Sequence, residues 1–479
     1  MYILIAKLFA MPFVVGGVEV SSQIENEIRP GSDWVSVWSY QLEEETGNIE
    51  IDLHLEVFRT GIFGTVIDFF FPSTTQISIV SDRNFELYGE TIQGNSVSVS
   101  ALVVPKKAKS IDILFKNRNT FFPISLVLSG EIASASDQFD LRAAFPACPF
   151  PVYSQQMCGA CYADVVAGAG TDDLCISNNG KAIVDRLSPQ PILSCASLGG
   201  CNGGSPYLAA LWAQTNGLTK YDDCPYLSGQ CSPVEDLDRD GCVKCKSVNI
   251  RFAPVYHLRP IILSPNSEYA IRKHIKLKGS VMVIFDAHAN FQTFFSQKPF
   301  AVYTSHDNSP SLGNHAVRLI GFGVKDQTRY WIGLNSWGST WANRGSFKIL
   351  RGHNLCSIEQ YPVGVESIHN PISGVTQANF HSHPTVGEWT KQDMEENYWK
   401  EFVENHTEEI HNLIGLKSFA VTSIETRVGN GYFVKIILRG DPKHKVIVHV
   451  SPEGASKVSM ETKKRALPHP EKLDNVSLN

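Results

Sequence analysis

Short runs in which apolar and polar residues alternate fill the first third of the chain. NIEIDLHLEVF, TVIDFFF, TQISIVSD, NSVSVSALVV, SIDILF and ISLVLSG, all within 33–131, are β-branched or aromatic and are broken by Gly, Asn, Pro and Lys. Period-two alternation turns one face of each run toward a core, so six or seven strands are expected in about 100 residues. That density predicts an all-β unit, a sandwich or a barrel. Its aromatics read as core, with a carbohydrate-binding face as the alternative.

The pattern changes after Phe139. YADVVAGAGTDDLCI, following Cys161, has the alanine content and apolar spacing of a helix, interrupted by Gly168 and Gly170. NHAVRLIGFG reads as a strand with His315 at its start, and GSFKILRG reads as another. Between them YWIGLNSWGSTW carries Asn335 and Trp337. Farther on, TKQDMEENYWKEFVENHTEEIHNLIG sets Met394, Tyr398, Phe402 and Ile410 near helical spacing with acids on the other face. One long helix from Thr390 is expected there. FAVTSIETRVGNGYFVKIILRG and HKVIVHVS follow as alternating strands, with a Gly-Asn-Gly turn between two of them.

The opening MYILIAKLFAMPFVVGGVEV is apolar apart from Lys7 and Glu19 and reaches small residues at Gly16 and Gly17. Residues 1–20 are a candidate secretory signal, although the basic n-region is poor and Pro12 interrupts the run. The same stretch also reads as a buried first strand. No other segment approaches 18 apolar residues, so a membrane span is not expected. The net charge of −6 lacks the basic surplus of a nucleic-acid binder.

The cysteines divide the chain. All 11 lie between Cys148 and Cys356, which argues for a cysteine-dense middle domain between two cysteine-free ones. With 479 residues each has room for its own core. Such density belongs to an oxidising compartment, and an odd count leaves at least one sulfur free.

QQMCGACYA sets Cys158 and Cys161 three positions apart, which admits three chemistries. A zinc pair needs a second one, and Cys242-Val243-Lys244-Cys245 stands too far on for a usual ribbon. A redox couple needs a preceding strand in a βαβ setting, and PFPVYSQQM is not one. A cysteine nucleophile needs a base, an orienting amide and an oxyanion donor, and the chain offers all three. A thiol opening a helix also sits at the positive end of its dipole, which favours thiolate. No metal and no cofactor is called for.

CGACY has the C-G-[SA]-C-[WY] form of the papain and cathepsin cysteine. With FDLRAAFPACP, ILSC…CNGG, NHAVRLIGFG, NSWGSTWANRGSFKILRG and HNLCSIE in order, residues 137–366 resemble a papain-family (C1) cysteine protease of the cathepsin B type. The resemblance implies an α+β, papain-like two-lobed fold, one lobe helical and one a β-barrel. It implies Cys161 as nucleophile, His315 as base and acid, Asn335 as the amide orienting the imidazole, and Trp337 as its shield. Gln155 would join the Cys161 N–H in the oxyanion hole. Gly203, Gly204, Asn314 and Tyr361 would touch substrate. The implied bridges are Cys148–Cys175, Cys158–Cys201, Cys195–Cys242 and Cys224–Cys245, with Cys195–Cys231 as the alternative for the third. Cys158 is then structural and Cys161 reactive.

The chain departs from that family in four places. Tyr162 replaces the usual Trp. CPYLSGQCSPVEDLDRDGCVKC, in the place of the occluding loop, is short, acidic and free of histidine, which favours endopeptidase cleavage over removal of C-terminal dipeptides. Tyr361 stands where an acid forms the floor of a side-chain pocket, which favours apolar over arginine side chains there. The helical pro-segment is not recognisable before Phe139, and the β unit, as a candidate pro-region, takes its place.

The end of the chain, about 387–465, resembles a stefin-like cystatin, a helix on an antiparallel sheet that inhibits these same proteases. ETRVGNGYFVKI lies over the inhibitory QVVAGTNYFVKV pattern, and Gly387 matches the trunk glycine. The inhibitory loop would be Glu425, Thr426, Arg427, Val428 and Gly429; Arg427 and Val428, in place of small or apolar residues, imply a weakened grip. Residues 367–386 read as a linker and 466–479 as a flexible tail. The expected partners are protein or peptide substrates, and either the chain's own cystatin-like domain or other papain-like proteases. The expected location is secreted or lysosomal/vacuolar.

Overall fold

The computed structural model describes residues 138–228, 254–369, 384–415, 418–429, 431–439, 445–452 and 454–460, and the backbone of nine strands before them. These strands are β1 (Val18–Ile28), β2 (Val35–Gln41), β3 (Ile49–Thr60), β4 (Val66–Ile67), β5 (Thr75–Ser81), β6 (Phe85–Gln93), β7 (Ser96–Val103), β8 (Ser110–Asn117) and β9 (Ile124–Ser134). They form two antiparallel sheets, one ordered β1-β9-β3-β7-β6 with β4 on β3, the other β2-β8-β5. Strand β1 begins at Val18, inside the candidate signal; the rest of that segment lies outside the described residues.

The middle unit opens with β10 (Phe139–Asp140) and the short α1 (Leu141–Ala144), whose Asp140 side chain accepts the Arg142 N–H. Next comes α2 (Cys161–Ser177), fully buried from Cys161 to Cys175. Its two mid-helix glycines are explained by close neighbours: a Cβ on Gly168 would lie 2.4 Å from the Arg318 guanidinium carbon. That guanidinium pairs with the buried Asp172 one turn on. Around α2 lie α3 (Gln190–Cys195) and α4 (Pro206–Asn216). Helix α4 starts because Ser205 accepts the Leu208 N–H and Pro206 fits the first turn, where its missing donor costs nothing.

The other half is built on β11 (His257–Ile262), α5 (Glu268–Leu277), β12 (Val281–His288), α6 (Ala289–Gln297), β13 (Val302–Tyr303), β14 (Ser311–Lys325), β15 (Thr328–Leu334), β16 (Ser346–Leu350) and β17 (Val363–Ile368). The sheet order is β11-β17-β12-β14-β15-β16-β13, with β10 on β14. Strands β12, β14 and β15 are buried on both faces because helices cover one side and a core of Phe285, Phe291, Phe295, Trp331 and Phe347 fills the other. Each such ring contributes about 1.5–3 kcal/mol by leaving water. A second core lies between α2–α4 and the facing residues Met282, Ile284, Ala316 and Val363 of the sheet.

After residue 384 the chain forms β18 (Thr390–Lys391), α7 (Asn397–Asn405), α8 (Thr407–Ile414), β19 (Val421–Gly429), β20 (Gly431–Leu438), β21 (Lys445–Val450) and β22 (Ser456–Met460). The last five strands make one antiparallel sheet in sequence order. The single long helix expected from Thr390 is broken: Thr390 and Lys391 pair with β19, and the helix divides at His406 (φ −107°, ψ 5°). The His406 ring turns back to the Phe402 carbonyl at 2.8 Å, which helps set the break. Trp399, Phe402 and Ile410 pack on Ile424, Val434 and Val448, and this core runs on into that of the β12–β16 sheet. Residues 461–479, which include the expected tail, lie outside the described residues.

Two bridges form as expected, Cys148–Cys175 and Cys158–Cys201. Cys195 is disulfide-bonded, and Cys231, Cys242 and Cys245 lie outside the described residues. The expected Cys224–Cys245 bridge is not formed: Cys224 is free. Its thiol is buried against the Ser188 and Thr219 hydroxyls, a site that suits a thiol.

Candidate active site

Cys161 opens α2 with no side-chain cap before it, so the helix presents free N–H groups around the sulfur. The thiol is fully buried. Burial pushes its pKa up to about 12, against the Ala316 amide, which points at the sulfur and favours thiolate. Ala316 follows His315 on β14, so the strand that carries the imidazole runs past the thiol.

His315 is held from one side. Its Nε2 lies 2.8 Å from Asn335 Oδ1, and Asn335 Oδ1 also accepts the Ser336 N–H at 2.8 Å. A carbonyl oxygen cannot donate, so Nε2 carries the proton and the ring is fixed in one tautomer. The Trp337 ring stacks on the imidazole at 5.3 Å and 25°, with Phe285 at its edge. The remaining nitrogen, Nδ1, is buried without a partner among the described residues. Burial lowers the ring's pKa to about 4, opposed by the Asn335 bond. Thiol and imidazole are thus both buried and held neutral, with no hydrogen bond between them among the described residues.

Gln155 is fully buried as well. Its Nε2 donates to the Cys158 carbonyl at 3.0 Å and its Oε1 accepts from Ser336 Oγ at 2.6 Å. An amide has two N–H groups, so one is left uncommitted. The Cys158–Cys201 bridge fastens this turn to the Gly203–Gly204 segment.

The cleft is covered by the end of the same chain. Val386 and Gly204 exchange both backbone hydrogen bonds at 3.0 Å, and the Gly387 N–H donates to the Asn314 carbonyl at 3.1 Å. Gly387 has φ +73°, a left-handed turn that suits glycine, and a Cβ there would lie 2.9 Å from the Gly159 carbonyl. The next contact is made by Arg427, the residue from which a weakened grip was expected. Arg427 is fully buried, donating to the Cys201 carbonyl at 3.1 Å and the Met157 carbonyl at 3.3 Å. Its guanidinium lies 4.9 Å from the Trp389 ring and 5.5 Å from Phe433. The fork finds carbonyls and ring faces where a small residue was expected, so it anchors the turn. Val428 is buried beside it, and Thr426 Oγ1 donates to the Leu312 carbonyl at 3.0 Å. Gly429 brings the hairpin close to the Gln156 carbonyl. Glu425 is turned away and pairs with Lys435 at 3.3 Å. A second hairpin, β21–β22, rests on α6: Ser296 Oγ donates to the Pro452 carbonyl at 2.6 Å, and Gln292 Nε2 reaches the Ser451 carbonyl.

Tyr361 lines a cavity of 190 Å³ with Ile284, Asn314 and Pro384. The same cavity contains a carboxylate that the sequence did not flag, Asp286, already held by Ser311 and by His288 at 3.2 Å. Val386 and Trp389 were missed too; their signal was only nearness to Gly387.

Residues 135–365 match the model of the papain family of cysteine proteases. A cathepsin B-like cysteine proteinase 4 of Caenorhabditis elegans is 31% identical over 254 residues, spanning 47% of this chain and 73% of that one. Cathepsin B-like cysteine proteinase 5 of the same organism is 30% identical over 290 residues, spanning 53% and 79%. The gut-specific cysteine proteinase of that organism is 31% identical over 246 residues, spanning 48% and 72%. Among solved structures, a procathepsin B of Trypanosoma congolense aligns with TM-score 0.39 and 24% identity, over 48% of this chain and 77% of that one. The bromelain protease of Ananas comosus aligns with TM-score 0.38 and 24% identity, over 48% and 98%. The chain belongs to the papain family of cysteine proteases, with cathepsin B-like relatives, and is a cysteine peptidase.

Proposed function

We propose that the chain is a cysteine endopeptidase acting through Cys161 and His315, and that its C-terminal cystatin-like domain holds it closed in cis. In the open enzyme the Cys161 proton passes to His315 Nδ1 and the thiolate attacks the substrate carbonyl. The oxyanion is met by the Cys161 N–H and the free N–H of Gln155. His315 then protonates the departing amine, leaving a thioester. Water, deprotonated by His315, attacks the thioester carbonyl and releases the acid and the thiol. Asn335 keeps the imidazole in the tautomer this sequence needs, and Trp337 excludes water from their bond.

One observation carries the cis reading: Val386–Gly387 pairs with Gly204 and Asn314 beside the buried Cys161, with Arg427 anchored on the same rim. Two features support the cystatin-like reading of 387–465, the five-stranded antiparallel sheet with its helices and the Gly429 turn in the cleft. In this reading the nine N-terminal strands form an all-β domain that replaces the usual pro-segment. The disulfides suit a secreted or lysosomal/vacuolar protein, and no helix among the described residues is long and apolar enough to cross a membrane. A tether gives an effective concentration of roughly millimolar, so even a micromolar contact keeps most molecules closed. Cutting an engineered site within 370–383 and then diluting should raise peptidase activity several-fold. Unchanged activity after the cut would remove the cis reading, and Cys161→Ala retaining activity would remove the nucleophile.

A further inference from the structure

Beyond Gln155 and Trp337 lies a cavity of 340 Å³ that the reaction above does not use, lined by Tyr153, Ser154, Gln156, Arg186, Tyr221 and Ser339 among others. It is built into the catalytic framework. Ser154 bridges to Trp337, the Gly338 N–H donates to the Tyr153 carbonyl at 2.9 Å, and Tyr226 OH donates to the Gln155 carbonyl at 2.8 Å. Arg186 is half-buried in this cavity, its guanidinium 3.6 Å from the Tyr221 ring centroid and 5.8 Å from that of Tyr153. Those ring faces fix its plane but accept none of its five N–H groups. Among the described residues no carboxylate lies within ion-pair distance of it. An acid that acts on it through space, Asp164, is fully buried on α2, where burial raises its pKa and favours the neutral form. The rest of the polar lining consists of neutral groups that can donate: Ser154, Gln156, Ser339 and Thr340.

The chain's own cover gives the direction of a bound peptide. Thr385, Val386 and Gly387 run from the Gly204 edge toward Gly159 and the Cys161 helix. A substrate laid along Gly204 in that direction continues past Cys161 toward Gln156 and Gly338. We propose that this cavity is a leaving-group-side subsite in which Arg186 takes a carboxylate, about two residues beyond the bond that is cut. The carboxylate has two sources, the side chain of an acidic residue or the terminus of a chain that ends there. Arg186 is a specificity-determining residue, not part of the bond-breaking machinery.

The test uses the full chain and peptides with one common acyl portion. The second leaving-side residue is Glu, Gln or Lys with an amidated end, and a second set compares free acid with amide at a Gln end. Each comparison is made on one preparation, so the closed fraction cancels. A partly exposed ion pair predicts about a three- to fivefold gain in kcat/KM for Glu over Gln, or for free acid over amide. Which set carries the gain identifies the source. The gain should fade in high salt, vanish in Arg186→Met, and largely persist in Arg186→Lys. Turnover of the Gln amide at wild-type rate certifies that the variants are folded. Equal rates across both peptide sets, or a preference that survives Arg186→Met, would overturn the subsite while leaving the peptidase reading intact. The wild-type comparison alone decides the matter should Arg186→Met fail to fold.

Discussion

Arg427 shows how far a residue's role depends on what it docks against. Its guanidinium spans two carbonyls on the protease rim between two aromatic rings. Charge-assisted bonds of this kind contribute about 1.5–3 kcal/mol each, and their loss leaves both carbonyls competing for water. Arg427→Ala is expected to raise the activity of the intact chain about tenfold or more, measured with a short peptide reporter. No increase would mean that Arg427 does not hold the cover. At the same scale, Tyr361 and the buried Val386 argue for an apolar second side chain before the cut. A reporter with Phe there should be cleaved at least several-fold better than one with Arg, because Asp286 is already bonded to Ser311 and His288 and an unpaired guanidinium is costly to bury. Equal turnover would mean that Asp286 recruits the arginine, and Asp286→Asn would then restore the difference. Cys161, His315, Asn335 and Gln155 could be proposed from sequence because their motifs are local and ordered along the chain. Arg427 and Cys224 were not, since a bulky cation looks unfavourable until its acceptors are known, and a cysteine's partner depends on distance.

Local pattern predicted the elements well where an apolar run is long enough to declare its type. The helix after Cys161 and the strand carrying His315 form where alanine content and an apolar run put them. Gly168 and Gly170 looked like interruptions but lie under Arg318 and Leu258, whose close approach no periodicity records. The long C-terminal helix failed for a similar reason: Thr390 and Lys391 find a strand partner in β19, which outweighs helical spacing. At this scale the Cys158–Cys201 bridge matters most, because it ties the turn before α2 to the Gly203–Gly204 segment. Cys158→Ala should lower stability by about 2–5 kcal/mol in a denaturation series. It should also impair peptide binding more than an equally destabilising change far from the cleft. A stability loss with KM unchanged would show that the bridge does not position the segment.

At the scale of the molecule, closure should be tied to pH. In the covered cleft His315 titrates near 4, whereas an exposed imidazole titrates at about 6.5. Between those values the closed form binds fewer protons than the open one. His315 therefore favours closure fully above about pH 6.5, and that contribution is lost as pH falls toward 4. Cys161 works from the other side: raised to about 12 when covered, it favours closure below the ordinary thiol value and loses that effect as pH rises. Closure is then firmest near neutrality and yields on acidification. The ratio of intact-chain activity to that of the linker-cut, diluted protein isolates this effect, because the intrinsic pH profile of the chemistry cancels. Between pH 7 and pH 4.5 that ratio should climb at least several-fold toward one. Arg427→Ala, with the cover already loosened, should show a flatter climb. A constant ratio for the intact chain would mean that the cover does not distinguish a neutral His315 from a charged one, and that release depends on cutting the chain rather than on acid.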